Sequence, residues 1–186
     1  MKRIMIVLGS LAAVASLLAI VAHGRADKPS EAPVHTHSEF SFTVHAPMDV
    51  AAPLFGAEAE RAWGGDSWNP RFVYPQPASD VEGAVFFVKH GGHDSTWVAT
   101  AQDFKGGHVQ YVNVIDGAMA IFIDIHLRPA SEKETAVNVV YERTALRPDL
   151  NEHIRELGAA DKTSGGHWSD AINGSLRTSP HTQSKQ

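Results

Sequence analysis

Residues 107–144 read GHVQYVNVIDGAMAIFIDIHLRPASEKETAVNVVYERT and contain three runs in which apolar and polar residues alternate. The runs are Val109 to Ile115, Ala118 to Leu127 and Thr135 to Thr144, and they are rich in β-branched and aromatic residues, which favour strands. Asp116-Gly117 joins the first two runs, and Asp-Gly between apolar runs indicates a two-residue type I′ hairpin. We therefore predict an antiparallel meander.

The predicted turns also set which side chains share a face of the sheet. The Asp-Gly turn places Ile115 opposite Ala118. A turn within Pro129–Lys133 sets Arg128 against Glu134, and this turn and another at Lys105–Gly107 extend the register to the flanking strands. One face then becomes almost wholly apolar, and it needs a partner element. That face carries Val98, Thr100, Val112, Val114, Met119, Ile121, Ile123, Ile125, Val137, Val139 and Tyr141.

The opposite face mixes polar and apolar residues, so we assign it to solvent. Asp124 and His126 lie on this side, and we therefore do not expect them to act as a catalytic pair. Trp97 falls on the same side. The other members are Ala99, Tyr111, Asn113, Phe122, Asn138, Val140 and Glu142.

The composition is that of one globular domain. The chain has 186 residues, of which 43% are hydrophobic and 20% charged, and it has no cysteine. Acidic residues outnumber basic ones by 21 to 16, and no Lys/Arg cluster is present. This charge excludes nucleic acids and anionic membrane surfaces as partners.

The N-terminus has the pattern of an export signal. Met1-Lys2-Arg3 precedes the uncharged residues 4–22, and Gly24-Arg25-Ala26 fits a cleavage site before Asp27. The alternative is an uncleaved membrane anchor, because nineteen residues at about 1.5 Å each nearly span a bilayer core. Both alternatives predict an exported protein, periplasmic or secreted, with membrane contact only through residues 4–22. Residues 27–37 read as a linker, and residues 177–186 as a disordered tail.

The remaining elements surround the meander. We predict a strand at Ser38–His45, followed by two short helices before Trp68. Three further strands precede the meander, and a helical segment with an interruption follows it. The strands are Arg71–Tyr74, Gly83–Lys89 and Thr96–Phe104; the helical segment begins at Arg147-Pro148-Asp149, is interrupted at Gly158 and 163–166, and continues through Trp168, Ile172 and Leu176.

This order resembles the helix-grip fold of the SRPBCC superfamily, also called START-like or polyketide-cyclase-like, over residues 38–176. The local support is in Phe40-Ser41-Phe42-Thr43-Val44-His45-Ala46-Pro47, Glu60-Arg61-Ala62-Trp63, Trp68-Asn69-Pro70, Ser95-Thr96-Trp97-Val98 and Tyr141-Glu142-Arg143-Thr144-Ala145-Leu146. The resemblance implies an α+β domain with a curved antiparallel sheet of about seven strands wrapped around a long C-terminal helix. It also implies a cavity for a hydrophobic ligand.

We expect the apolar face and the C-terminal helix to enclose this ligand, which would be lipid-like or polyketide-like. Thr100 and Tyr141 are polar groups that could orient it. The alternatives are a polyketide cyclase-type enzyme and a ligand-free interaction module. The chain has no nucleophile motif, so we assign no catalytic residue and no cofactor. The expected ligand-binding residues are Trp63, Trp68, Val98, Thr100, Val112, Val114, Met119, Ile121, Ile123, Val137, Val139, Tyr141, Trp168 and Ile172.

Eleven histidines raise the question of a metal site. His35-Thr36-His37 could present two imidazoles on one side of an extended segment, and His90 and His93 lie in one turn with Asp94. Zinc requires three or four converging ligands. Because no further ligand occurs at a telling spacing, we predict no metal site.

Overall fold

The computed structural model describes residues 31–90 and 93–178. The predicted leader of residues 1–26 and residues 179–186 of the predicted tail lie outside the described residues, whereas residues 177 and 178 of that tail are helical. Within the described ranges, no helix is both long enough and apolar enough to cross a membrane.

Seven strands form one antiparallel sheet in the spatial order β1-β7-β6-β5-β4-β3-β2. The first strand therefore pairs with the last, and β2 lies at the other edge. The bounds are β1 His35–Val44, β2 Arg71–Tyr74, β3 Val85–His90, β4 His93–Asp103, β5 His108–Ile115, β6 Met119–Ser131 and β7 Glu134–Ala145.

A short-helix segment, residues 48–62, follows β1 and covers one face of the sheet. It consists of α1 (Met48–Ala51) and two 3₁₀ helices, Ala52–Phe55 and Ala59–Ala62. Three aromatic donors bind its backbone carbonyls, which a longer helix would have satisfied internally. Trp63 Nε1 donates to Leu54 O at 2.7 Å, Trp68 Nε1 to Ala57 O at 2.9 Å, and Tyr111 Oη to Phe55 O at 2.9 Å.

The C-terminal helical segment is in two parts, α2 (Asn151–Asp161) and α3 (Gly165–Thr178). The predicted break at Gly158 is wrong, because Gly158 lies within α2. A Cβ atom there would lie 2.9 Å from Thr36 Oγ1, so glycine allows α2 to pack closely on β1. Trp168 of α3 contacts Phe40 and Trp63, with ring centroids 5.6 and 5.3 Å apart.

The predicted two-residue hairpin at Asp116-Gly117 is wrong. Ile115 pairs with Met119, and the loop has three residues. The Ala118 N–H donates to Ile115 O at 3.0 Å, and Gly117 has a φ of +62°, whereas no described non-glycine residue has a positive φ. A type I′ turn needs positive φ at both central residues, and a type II turn needs it only at the second. Asp116 therefore excludes the type I′ turn.

This difference of one residue reverses the two faces of β4 and β5 relative to β6. The face that packs against the helices, here called the inner face, carries Trp97, Tyr111 and Asn113, which are at most 8% exposed. The sequence prediction placed them toward solvent. Four predicted ligand-binding residues instead lie on the outer face: Val98, Thr100, Val112 and Val114. Thr100 stands at a bulge in β4 and donates to Gln110 Oε1 at 2.8 Å.

The register between β6 and β7 also differs from the prediction, but by an even number of residues. Ser131 pairs with Glu134, and Arg128 pairs with Ala136 rather than Glu134. Because side chains alternate with a period of two, an even shift leaves the faces unchanged. The predicted inner residues of β6 and β7 therefore remain inside: Met119, Ile121, Ile123, Ile125, Val137, Val139 and Tyr141.

A buried ion pair joins β7 to the end of α2. Arg143 Nε and Nη2 donate to Asp161 Oδ2 and Oδ1 at 2.6 and 2.8 Å, and the two side chains are 11% and 10% exposed. The Ser38 hydroxyl donates to Asp161 Oδ2 at 3.1 Å. One bidentate pair thus ties three elements together.

We expect Asp161→Ala to lower the free energy of unfolding by about 3 to 5 kcal/mol, because Arg143 would be left as a buried, unpaired charge. The double variant Arg143→Met/Asp161→Leu should recover most of that loss. Asp149→Ala is the control, since the Arg147–Asp149 pair is 57% and 66% exposed. Urea unfolding measures all three. Equal losses for the Asp161 and Asp149 variants would contradict the expectation.

Candidate functional site

A cavity lies between the inner face of the sheet, the short-helix segment and the C-terminal helices. It has two adjoining lobes of about 190 and 330 Å³, and Trp97, Ile123 and Tyr141 line both. The smaller lobe is also lined by Glu60, Trp68, Tyr111, Ile125 and Trp168. The larger lobe is also lined by Asn113, Ile115, Met119, Ile121, Arg143, His153 and Leu157.

Glu60 is the carboxyl group that lines the smaller lobe. It lies in the second 3₁₀ helix, and the Asp80 carboxylate binds the start of that helix: the Glu58 and Ala59 N–H groups donate to it at 2.7 and 3.1 Å. No hydrogen-bond partner for the Glu60 carboxyl occurs among residues 31–90 and 93–178. Its side chain keeps partial exposure because it borders the cavity, although protein surrounds it.

Burial raises the pKa of Glu60 to about 8, and the negative charge of Asp80 raises it further in the same direction. Glu60 is therefore mostly protonated at neutral pH. In that form it can donate a hydrogen bond to a ligand, and its carboxylate form is reached within about one pH unit.

Two more polar groups face the cavity without partners in the described part of the chain. The Tyr141 ring stacks on Phe40, with centroids 6.2 Å apart, and the Arg143 guanidinium lies 4.5 Å from its centroid. Its hydroxyl makes no hydrogen bond to the described residues, and burial raises its pKa. Asn113 is 1% exposed, and its Nδ2 has no hydrogen-bond partner. A buried, unpaired amide N–H is costly, so a bound carbonyl or hydroxyl oxygen would relieve it.

The structure brings some of the predicted ligand-binding residues into the cavity. Six of them line it: Trp68, Met119, Ile121, Ile123, Tyr141 and Trp168. Trp63 borders a further pocket of about 130 Å³, which shares Glu60 and Trp168 with the smaller lobe. Val137, Val139 and Ile172 are buried in the core without lining either lobe. The four residues on the outer face do not reach the cavity.

Sequence reasoning missed Glu60, Trp97, Tyr111, Asn113 and Arg143. For Trp97, Tyr111 and Asn113 the cause is the wrong register. For Glu60 a signal was present, because positions three residues apart on a helix share a side and Trp63 was expected near the cavity. Asp124 and His126 lie on the outer face, and the described residues of the cavity include neither.

Comparisons with known proteins support the fold. No protein-family model and no curated protein matches this chain. Among solved structures, a norcoclaurine synthase from Thalictrum flavum is 13% identical, with a TM-score of 0.58 over 80% of this chain and 98% of its own. The chain therefore has the helix-grip fold. The fold class predicted from the sequence is thereby confirmed.

Three further structures share this fold. Ara h 8.0201 is 13% identical, with a TM-score of 0.58 over 78% of this chain and 100% of its own. An aromatase/cyclase from Streptomyces sp. R1128 is 15% identical, with a TM-score of 0.51 over 77% of this chain and 95% of its own. The norcoclaurine synthase has also been solved with dopamine and hydroxybenzaldehyde, and that structure is 14% identical, with a TM-score of 0.58 over 87% of this chain and 96% of its own. At these identities the likeness extends to the fold and not to the chemistry.

The raised pKa of Glu60 predicts a pH dependence of stability. Between the ordinary value of 4.5 and about 8, the folded state holds a proton that the unfolded state has lost. The free energy of unfolding should therefore fall as pH rises through this window, with a slope of up to about 1.4 kcal/mol per pH unit from this group. Glu60→Gln should lack this fall. The difference in free energy of unfolding between the wild type and Glu60→Gln should become constant above the pKa that Glu60 has in the folded state.

Urea unfolding of the wild type and Glu60→Gln across the window measures this difference. Glu58→Gln is the control, because Glu58 is 40% exposed and pairs with Arg61. Parallel stability curves for the wild type and Glu60→Gln would show that the Glu60 carboxyl is not held in a protonated state.

Proposed function

We propose that this protein is exported and binds one small, mostly apolar molecule in the two-lobed cavity. The observation that carries the proposal is a partly open cavity between sheet and helices, whose lining is mostly apolar and aromatic and whose few polar groups include three without partners among the described residues. Pockets for small molecules have this composition, with few polar groups that fix the orientation of the ligand. The leader-like residues 1–26 support export.

The energetics favour an occupied cavity. The cavity is partly open to solvent, so water fills it when no ligand is bound. Water can occupy the region near Asn113 and Arg143, but it gains little beside Ile121, Met119 and Leu157. An apolar ligand would gain about 25 cal/mol for each Å² of apolar surface removed from water.

The unpaired groups indicate the chemistry of the ligand. Asn113 Nδ2 and the protonated Glu60 are hydrogen-bond donors, and Tyr141 can donate or accept. Because the donors lie in different lobes, the best match is a molecule with a carbonyl or hydroxyl oxygen at each end of an apolar body. Lipid-like and polyketide-like molecules include such structures.

We expect Ile123→Trp to weaken ligand binding by at least about ten-fold, because Ile123 lines both lobes and the indole would occupy them. The stability cost of this overpacking should be about 1 to 3 kcal/mol. Phe122→Trp is the matched control, since Phe122 is the next residue along β6 and lies on the outer face. Binding is followed through the fluorescence of Trp68, Trp97 and Trp168.

The ligand for this experiment comes from the mature protein of the exported fraction, by native mass spectrometry and organic extraction. The mass of the protein also shows whether it begins at Asp27 or retains residues 1–26. A stoichiometric lipophilic adduct that Ile123→Trp lacks and Phe122→Trp keeps would support the proposal. An adduct present in both variants would place the ligand elsewhere.

Acid–base catalysis is the second candidate, and Glu60 is the observation that favours it. A general base works best with a pKa near the operating pH, and burial brings Glu60 there. Its carboxylate could accept a proton from the carbon beside a ligand carbonyl. The Tyr141 hydroxyl, which lines both lobes, could stabilise the resulting enolate oxygen. This is the chemistry of an isomerising or cyclase-type enzyme.

Under this second candidate, Glu60→Gln should lower turnover of the extracted ligand by about 10² to 10⁴ and leave its binding nearly unchanged. Turnover of the wild type should rise with pH and reach a plateau above a pKa of about 8. Glu58→Gln is the control for a carboxyl of the same segment outside the cavity. Chromatography with mass detection follows product formation. If the wild type forms no product, the catalytic candidate is wrong and only the binding function remains.

A further inference from the structure

The outer face of the sheet brings three potential metal ligands together, away from the cavity. His108 on β5 pairs directly with His126 on β6, so their imidazoles stand side by side. Asp124 precedes His126 by two residues and therefore lies on the same face. The three side chains offer ligand atoms that all lie within 4.8 Å of one another.

The distances between the ligand atoms of this cluster are close to those within a metal site. His108 Nε2 lies 2.7 Å from Asp124 Oδ1, and His126 Nε2 lies 3.2 Å from Asp124 Oδ2. The two rings are parallel, with an interplanar angle of 2° and centroids 4.7 Å apart, so they direct the same nitrogen toward one carboxylate. Donors around a tetrahedral zinc ion are about 3.3 Å apart, given bonds of about 2.0 to 2.1 Å.

The exposure of the cluster suits an exchangeable metal ion with one open coordination position. His108, Asp124 and His126 have side chains that are 35%, 23% and 55% exposed, so solvent can supply a further ligand. Gln110 Nε2 donates to Asp124 Oδ1 at 3.3 Å and helps to orient the carboxylate. Hydrogen bonds of this kind to a ligating group tune metal sites.

We propose that His108, Asp124 and His126 bind one divalent transition-metal ion of the zinc or copper class. Two imidazole nitrogens and one carboxylate oxygen are ligands that these metals accept, whereas Mg²⁺ and Ca²⁺ prefer oxygen alone. The ion would join β5 to β6 on the face opposite the cavity. The site is therefore independent of the proposed ligand and of Glu60.

A second histidine group on the same face provides a comparison. His35 Nε2 and His37 Nδ1 each lie 2.6 Å from Glu142, but on different oxygens of its carboxylate. The Nδ1 atom of His35 also lies 2.9 Å from Thr144 Oγ1. Among the described residues, only the set on β5 and β6 brings three ligand atoms into mutual reach. The group formed by His35, His37 and Glu142 therefore serves as the matched control.

The test is zinc titration of the untagged, chelator-treated full-length protein by calorimetry, with metal content measured by mass spectrometry. We expect one ion per chain. The double variant His108→Ala/His126→Ala should weaken zinc binding by about 100-fold or more, and His35→Ala/His37→Ala by less than about three-fold. Cobalt(II) provides a second readout, because its visible spectrum reports nitrogen and oxygen ligation.

Three results would overturn the proposal: less than one zinc ion per chain, unchanged affinity in the His108/His126 variant, or a loss that follows His35 and His37 instead. The variant Asp124→Asn tests the contribution of the carboxylate apart from that of the imidazoles, and it should also weaken zinc binding. Circular dichroism establishes that each variant is folded before titration. Binding of Mg²⁺ with an affinity similar to that of zinc would also contradict the assignment.

Discussion

The pairing of β5 with β6 is the constraint on which both faces of the sheet depend. Ile115 lies opposite Met119, and because side chains alternate, this single pair sends Tyr111 and Asn113 inward and His108 outward. A slip of one residue would exchange these sets. The turn that sets the pair needs a positive φ at one position, and Gly117 supplies it. The polar groups of the cavity and the histidine cluster of the outer face therefore have one structural origin.

The short-helix segment, which borders the cavity, is held by hydrogen bonds from side chains outside its own helical turns. The short-helix segment is too short to satisfy its own backbone, so its carbonyls accept hydrogen bonds from Trp63, Trp68 and Tyr111. Asp80 binds the N–H groups at the start of the second 3₁₀ helix. These hydrogen bonds hold the short-helix segment so that Glu60 borders the cavity, and burial of its carboxyl raises its pKa. A fold that keeps an unpaired carboxyl in its interior gives up stability there, which is typical of functional sites.

The fold by itself does not select a chemistry. The solved structures with this fold include a synthase and an aromatase/cyclase, at 13% and 15% identity. The cavity of this chain is lined by a carboxyl, two phenols, a primary amide, a guanidinium and an imidazole, among aromatic and aliphatic side chains. Function has to be argued from those groups, because one fold supports many sites.

The sequence by itself determined the number and order of the strands, the short helices, the break in the C-terminal segment and the inner faces of β6 and β7. These follow from local alternation and from turn residues, and an even error in register leaves them unchanged. The faces of β4 and β5 required the tertiary structure, because Asp-Gly permits two turn types that differ by one residue in pairing. Glu60 required it as well, since Asp80 and the sheet that bury it are distant in the chain. The meeting of residues distant in the chain is a property of the packed domain, and no local pattern encodes it.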